Sequence, residues 1–194
     1  MPVITRDELR SLEEYEKVRA EVRRQIAAIK APRRVKVGEW VALTFENRDT
    51  VRYQIQEMLR AERIFEPHRI QEEIDIYSTL LPNPGELSAT MFIEIADMEQ
   101  LKRELPRLVN IETAVWLDLG ERQIHAAYEA GRSMESKTST VHYLRFPVGI
   151  EGVALLRDPN VPARLRIEHP NYQASTELSP ATRAALADDL AAAG

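Results

Sequence analysis

Apolar residues recur along this chain with two periods, and the change from one to the other marks its elements. Leu9, Leu12, Tyr15, Val18, Val22, Ile26 and Ile29 repeat at helical spacing and stop at Pro32. Thr5 and Glu8 form a capping box and Ile4 and Leu9 a hydrophobic staple, which set the start of this helix near Thr5. A long helix with one apolar stripe must cover it with a sheet, another helix or a second subunit, so residues 1–31 are a candidate assembly arm. A second helix is predicted over 48–65. Asn47 is its cap, Asp49 sits in its first turn, and Val51, Ile55, Met58 and Leu59 face the core. A third starts at Pro67 with the stripe Ile70, Ile74, Tyr77 and Leu81.

Period-two stretches lie between and after these helices. Val35 and Val37 lead to a bend at Gly38, and Val41, Leu43 and Phe45 then alternate with Ala42 and Thr44. Leu87, Ala89, Met91, Ile93 and Ile95 alternate with Ser88, Thr90, Phe92 and Glu94, and Asp97 caps a short helix through Leu108. Residues 114–119 and 122–129 flank Gly120-Glu121 as a hairpin, and 163–169 and 172–178 form another about Pro170-Asn171. Residues 130–138 read as a polar mobile loop, 140–148 as a strand, 150–157 as a short helix, and Ser179-Pro180 as the start of a last helix that frays at Ala191 to Gly194. Helices and strands mix without a βαβ rhythm. The expected fold is therefore a single α+β domain over 1–194, with a largely antiparallel sheet and helices packed on one face.

Composition narrows the function classes. The 194 residues, 44% hydrophobic, can bury one sizeable core. No apolar run is long enough to span a bilayer, and the N-terminus has no export-signal core. The absence of cysteine removes disulfides, thiolate metal sites and Cys nucleophiles, and fits a cytoplasmic protein. A net charge of −5 argues against general nucleic-acid or membrane binding. The run from Lys17 to Lys36 carries eight basic residues and one acidic one, Glu21, but no aromatic residue for base stacking. It reads as a solvated helix face and a basic connection. Walker, dinucleotide and nucleophile-elbow motifs are missing.

Three sets of residues carry candidate chemistry. The first is the polar face of helix 48–65. Arg48, Arg52, Gln56, Arg60 and Arg63, with Asn47 before them, suit carboxylates, phosphates or a protein partner, and Glu57 adjoins them. Glu46 and Glu57 are acid–base candidates if buried. The second is a metal set. His142 shares a strand face with Leu144 and Phe146, and His169 one with Leu165 and Ile167. With Glu57 or Glu62 they make a two-His, one-carboxylate group suited to iron or zinc. No local His/Glu spacing motif supports that group, and two buried, hydrogen-bonded histidines are the simpler reading. The third is the rigid Pro82–Glu86 loop, which reads first as a connection needing Pro and Gly for its geometry.

Several stretches together resemble a known family. They are Thr5 to Leu9, Ser11 to Tyr15, Phe45 to Val51, Gln54 to Arg60, Pro84 to Leu87, Lys137 to Ser139 with Val141-His142, and Leu144 to Phe146. Across nearly the whole chain the sequence resembles the bacterial family known as domain of unknown function 3501. The family brings no activity or catalytic residues. The resemblance implies a redox or peroxide-defence setting, with rubrerythrin-like di-iron proteins or iron–sulfur oxidoreductases as partners.

The leading reading is an accessory or binding protein acting through the polar face of helix 48–65, on a protein partner or as a homodimer. Its alternatives are a metal-dependent enzyme using His142 and His169, and an anion- or small-molecule-binding module anchored by Asn47, Arg48 and Arg52.

Overall fold

The computed structural model describes residues 3–131, 133–134 and 136–192. Within them the order is β1 (Arg34–Val37) and β2 (Val41–Glu46) after α1 (Leu12–Lys30), then α2 (Arg48–Ala61), α3 (Pro67–Ser78), β3 (Glu86–Ile93) and α4 (Met98–Glu104). There follow β4 (Val115–Leu119), β5 (Arg122–His125), β6 (Ala127–Tyr128), β7 (Val141–Pro147), α5 (Gly152–Arg157), β8 (Ala163–His169), β9 (Tyr172–Glu177) and α6 (Pro180–Ala192). This is the expected α+β class, with two antiparallel sheets in place of one, ordered β1-β2-β3-β7-β6 and β5-β4-β8-β9. The division arises at Ala126. The run predicted as one strand over 122–129 passes from one sheet to the other there, where Ala126 is buried and its N–H bonds to the Val115 carbonyl. Both predicted hairpins form, at Gly120 and at Pro170-Asn171.

The capping box at Thr5 and Glu8 forms, but it closes only a 3₁₀ turn over Arg6–Glu8. α1 begins later, under a second capping box between Ser11 and Glu14. Part of its apolar stripe is used within the chain: Tyr15 and Ile26 are buried, Leu12 packs on the cluster of Val51, Ile55, Leu59, Ile64 and Ile74, and Val18, Val22 and Ile29 are half-buried. α2 stops at Ala61 instead of reaching Phe65. Arg63 takes a left-handed conformation (φ 53°), and the Ile64 N–H returns to the Leu59 carbonyl, a left-handed helix stop. Arg63 is therefore off the helix face on which it was expected. No helix among the described residues is long and apolar enough to cross a membrane.

The main core lies between the two sheets and α6. β2, β3 and β7 turn Leu43, Phe45, Ala89, Met91, Leu144 and Phe146 into it. By the period of two, the same strands turn Thr44, Glu46, Ser88, Thr90, Tyr143 and Arg145 the other way. Register places these in rows: Thr44 beside Thr90 beside Tyr143, and Glu46 beside Ser88 beside Arg145. α1, α2 and α3 cover this polar face and hold a small apolar core of their own.

Candidate functional site

A cavity of about 250 Å³ lies between the polar sheet face and the helical layer. The sheet supplies Thr44, Glu46, Thr90, Phe92, Val141 and Tyr143. The helical side supplies Lys30, Val51, Gln54, Tyr77 and Leu80. A second hollow of about 310 Å³ continues along the same face past Leu80 and Tyr143 towards Ser88 and Arg145. There Arg145 is already occupied, donating to Glu86 at 2.9 Å and to the Leu81 carbonyl at 3.3 Å.

Glu46 is the chemical centre of the first cavity. It ends β2 one residue before the Asn47 cap, so strand and helix together fix its position. Its Oε2 accepts from Thr50 Oγ1 at 2.5 Å and its Oε1 from Thr90 Oγ1 at 2.7 Å. Thr50 and Thr90 are buried, and Glu46 is half-buried. Among the described residues no basic side chain forms an ion pair with Glu46. Each carboxylate oxygen has one hydroxyl donor and a lone pair left. Lys30, at the end of α1, lines the same cavity with its Nζ 5.4 Å from the centre of the Tyr53 ring, and likewise forms no ion pair among the described residues. Burial pushes the Tyr77 phenol above its ordinary pKa, and a hydrogen bond with Gln54 partly offsets this. The phenol is a neutral donor at all physiological pH. The wall thus offers an acceptor carboxylate, a donor ammonium, the Tyr77 phenol and the Gln54 amide beside apolar surface from Val51, Phe92 and Val141.

The residues singled out on α2 are placed differently. Asn47 caps the helix, its side chain accepting from the Thr50 N–H at 3.1 Å and donating to Asp189 at 3.1 Å. Arg48 reaches Glu8 and the Val3 carbonyl. Arg52 pairs with Asp49 and Arg60 with Glu16, both at 2.7 Å. Gln56 is buried, accepting from the Arg10 N–H at 2.8 Å and donating to the Arg10 carbonyl at 3.1 Å. Glu57 accepts from Tyr15 Oη at 2.6 Å and, in a two-pronged pair, from Arg19 at 2.8 Å. The Arg19 hydrogen bond outweighs burial and holds the Glu57 carboxyl at about 2. This face clamps α1 and its lead-in to α2. Arg63 is exposed beyond the helix end. The basic run is also engaged within the chain: Arg33 grips Asp189 of α6 at 2.7 Å and Arg34 grips Glu94 at 2.6 Å.

The structure does not bring the metal set together. His142 lies on β7 of the five-stranded sheet and His169 on β8 of the four-stranded one, while Glu57 and Glu62 belong to the helical layer. His169 Nδ1 accepts from the Asn171 N–H at 3.2 Å and its Nε2 lies 3.0 Å from the Val109 carbonyl. A carbonyl only accepts, so Nε2 carries the proton and both nitrogens are used. His142 Nε2 lies 2.9 Å from the Ser139 carbonyl and 2.9 Å from Thr138 Oγ1, and its Nδ1 is 3.5 Å from the buried Glu112 carboxylate. The hydroxyl, imidazole and carboxylate are ordered as in a nucleophile triad. By the same rule, however, Nε2 is a donor and cannot take the Thr138 proton. Glu62 is exposed, 3.9 Å from Arg69. Among the described residues no three carboxylate or imidazole groups converge to hold a metal ion.

Glu46 is legible in the sequence as an acid–base candidate, whereas Lys30, Thr44, Thr90, Tyr77 and Tyr143 are not legible there as site residues. For Thr44 and Thr90 the signal was the polar half of the alternation in β2 and β3; Lys30, Tyr77 and Tyr143 lie on α1, α3 and β7 and carried none of their own. A half-polar strand normally faces water, and here it faces a covered cavity.

Fold and cavity define a class: an α+β protein whose polar sheet face is roofed by three helices. Within that class the chain belongs to the family described as protein of unknown function (DUF3501), whose model matches residues 3–190. The fold is similar to a crystal structure of a protein of unknown function from Burkholderia pseudomallei K96243, with 38% identity and a TM-score of 0.89 over 97% of this chain and 100% of that one. No curated protein matches the chain.

Proposed function

We propose that this protein is a small-molecule-binding module whose site is the cavity between the polar face of the five-stranded sheet and the helices. One observation carries the reading. The middle of that sheet presents buried Thr44 and Thr90 and half-buried Glu46 to a helical layer, where apolar residues would pack more favourably. Polar side chains under a roof, lining a cavity that also has apolar surface, are how ligand sites are built. α2 contributes through Thr50, Val51 and Gln54, on the side turned to the sheet, while on its outer side Glu57 and Arg60 hold α1 and Arg48 holds the segment before it.

The test is a thermal-shift screen with a panel of small polar compounds: sugars, polyols, carboxylic acids, amines and amino acids. At least one class is expected to raise the melting temperature of the wild type, and Thr90→Val and Glu46→Gln are expected to abolish that rise. A panel without effect, or hits indifferent to both substitutions, would end the proposal.

A further inference from the structure

We infer that the ligand of this cavity is a small zwitterion bearing an ammonium and a carboxylate, of the amino-acid type. The inference rests on the cavity being a binding site, and it comes from the charges in its wall. Glu46 and Lys30 both line it, and neither forms an ion pair with the other or with any described residue. Several other half-buried charges of the chain are closely paired, as in Arg19 with Glu57 at 2.8 Å and Arg33 with Asp189 at 2.7 Å. Two opposite charges at one cavity, held more than a salt-bridge length apart, leave room for a molecule that carries the complementary pair.

Each charge is held for the purpose. The Thr50 and Thr90 hydroxyls fix the Glu46 carboxylate without neutralising it, so it keeps the lone pairs that an ammonium group needs. The Lys30 ammonium rests over the Tyr53 ring, an attraction that positions a cation while leaving its N–H groups for a carboxylate. Val51 from the helical side and Phe92 and Val141 from the sheet supply apolar surface for a side chain. The volume of about 250 Å³ lies just under the usual range for drug-sized ligands, so the occupant is small. The neighbouring hollow does not share this character, because its Arg145 is already satisfied by Glu86.

The test is calorimetric titration of the full chain with each standard L-amino acid in turn. The best binder is then compared with its N-acetyl and its carboxamide derivatives. Binding is expected for at least one amino acid, weakened about tenfold or more by blocking either end. Glu46→Gln should remove the preference for the unblocked amine and Lys30→Met the preference for the unblocked carboxylate, with circular dichroism confirming that both fold. Amino acids that do not bind, or that bind no better than their blocked derivatives, overturn the inference. If sugars, amines or acids still raise the melting temperature through Thr90 and Glu46, only the ligand class has failed. If nothing does, the cavity reading has failed as well.

Discussion

At the residue scale, Glu57 shows how a side chain that looks built for recognition can serve the fold. Its two oxygens are held by Tyr15 and Arg19, so α1 cannot leave α2 without stranding a carboxylate. The folded chain protonates Glu57 only near 2, against an ordinary value of 4.5 in the unfolded chain. This contribution is therefore complete above pH 4.5 and fades as the pH falls towards 2. Glu8 follows the same course: Arg48 and the Thr5 backbone overcome its burial and hold it at about 2. Glu57→Gln is expected to cost roughly 2 kcal/mol at neutral pH, allowing for solvent screening, and to flatten the acid limb of stability. Urea unfolding followed at neutral pH and across the acid range measures both effects. An unchanged acid limb would show that Glu57 is not a source of the pH dependence.

At the scale of elements, helix ends decided more than helix interiors. Apolar spacing along α2 matches the structure at Val51, Ile55 and Leu59, with Met58 only half-buried, but nothing in that spacing says that the helix stops at Ala61. The stop is made at Arg63, whose left-handed backbone is one that glycine adopts without cost. Arg63→Gly is therefore expected to leave stability unchanged or raise it by about 0.5–1 kcal/mol, although it removes a charged side chain. A drop in melting temperature would mean that the Arg63 side chain matters more than its backbone. At the other end Asn47 was legible in advance, because capping is a local property of four residues. The N-terminal capping box was equally legible, yet it closes a 3₁₀ turn. Ser11 and Glu14 form a second box six residues later, and Gln56 of α2 holds Arg10 out of the helix.

For the molecule as a whole, the two sheets are joined at the β1–β2 turn. Gly38, at φ 73°, lets the chain reverse under Tyr172 of β9. The Tyr172 hydroxyl accepts from the Trp40 and Val41 N–H groups at 3.0 and 3.2 Å and donates to the Val37 carbonyl at 2.7 Å. A Cβ on residue 38 would lie 2.5 Å from that hydroxyl and 2.7 Å from the Ala174 Cβ. Gly38→Ala combines a left-handed alanine with this clash and should cost about 2–3 kcal/mol in denaturant unfolding. A loss under about 0.5 kcal/mol would mean that this turn does not tie the sheets together.

Taken alone, the sequence determined what local physics controls. Period and caps placed the helices, strands and both hairpins, and the absence of a βαβ rhythm pointed to the α+β class. The buried apolar residues of the strands followed from the same alternation. Tertiary structure decided the rest, for three physical reasons. A strand run can serve two sheets when one small residue bends it, as at Ala126, and periodicity does not register the bend. A charged helix face looks the same in sequence whether it meets a partner or a neighbouring helix, and here α1 meets it. The polar side of a strand reads as solvent-facing until the fold shows what covers it. Thr44, Glu46 and Thr90 lie beneath helices, and only their packing places them beside Lys30 and Tyr77 around one cavity.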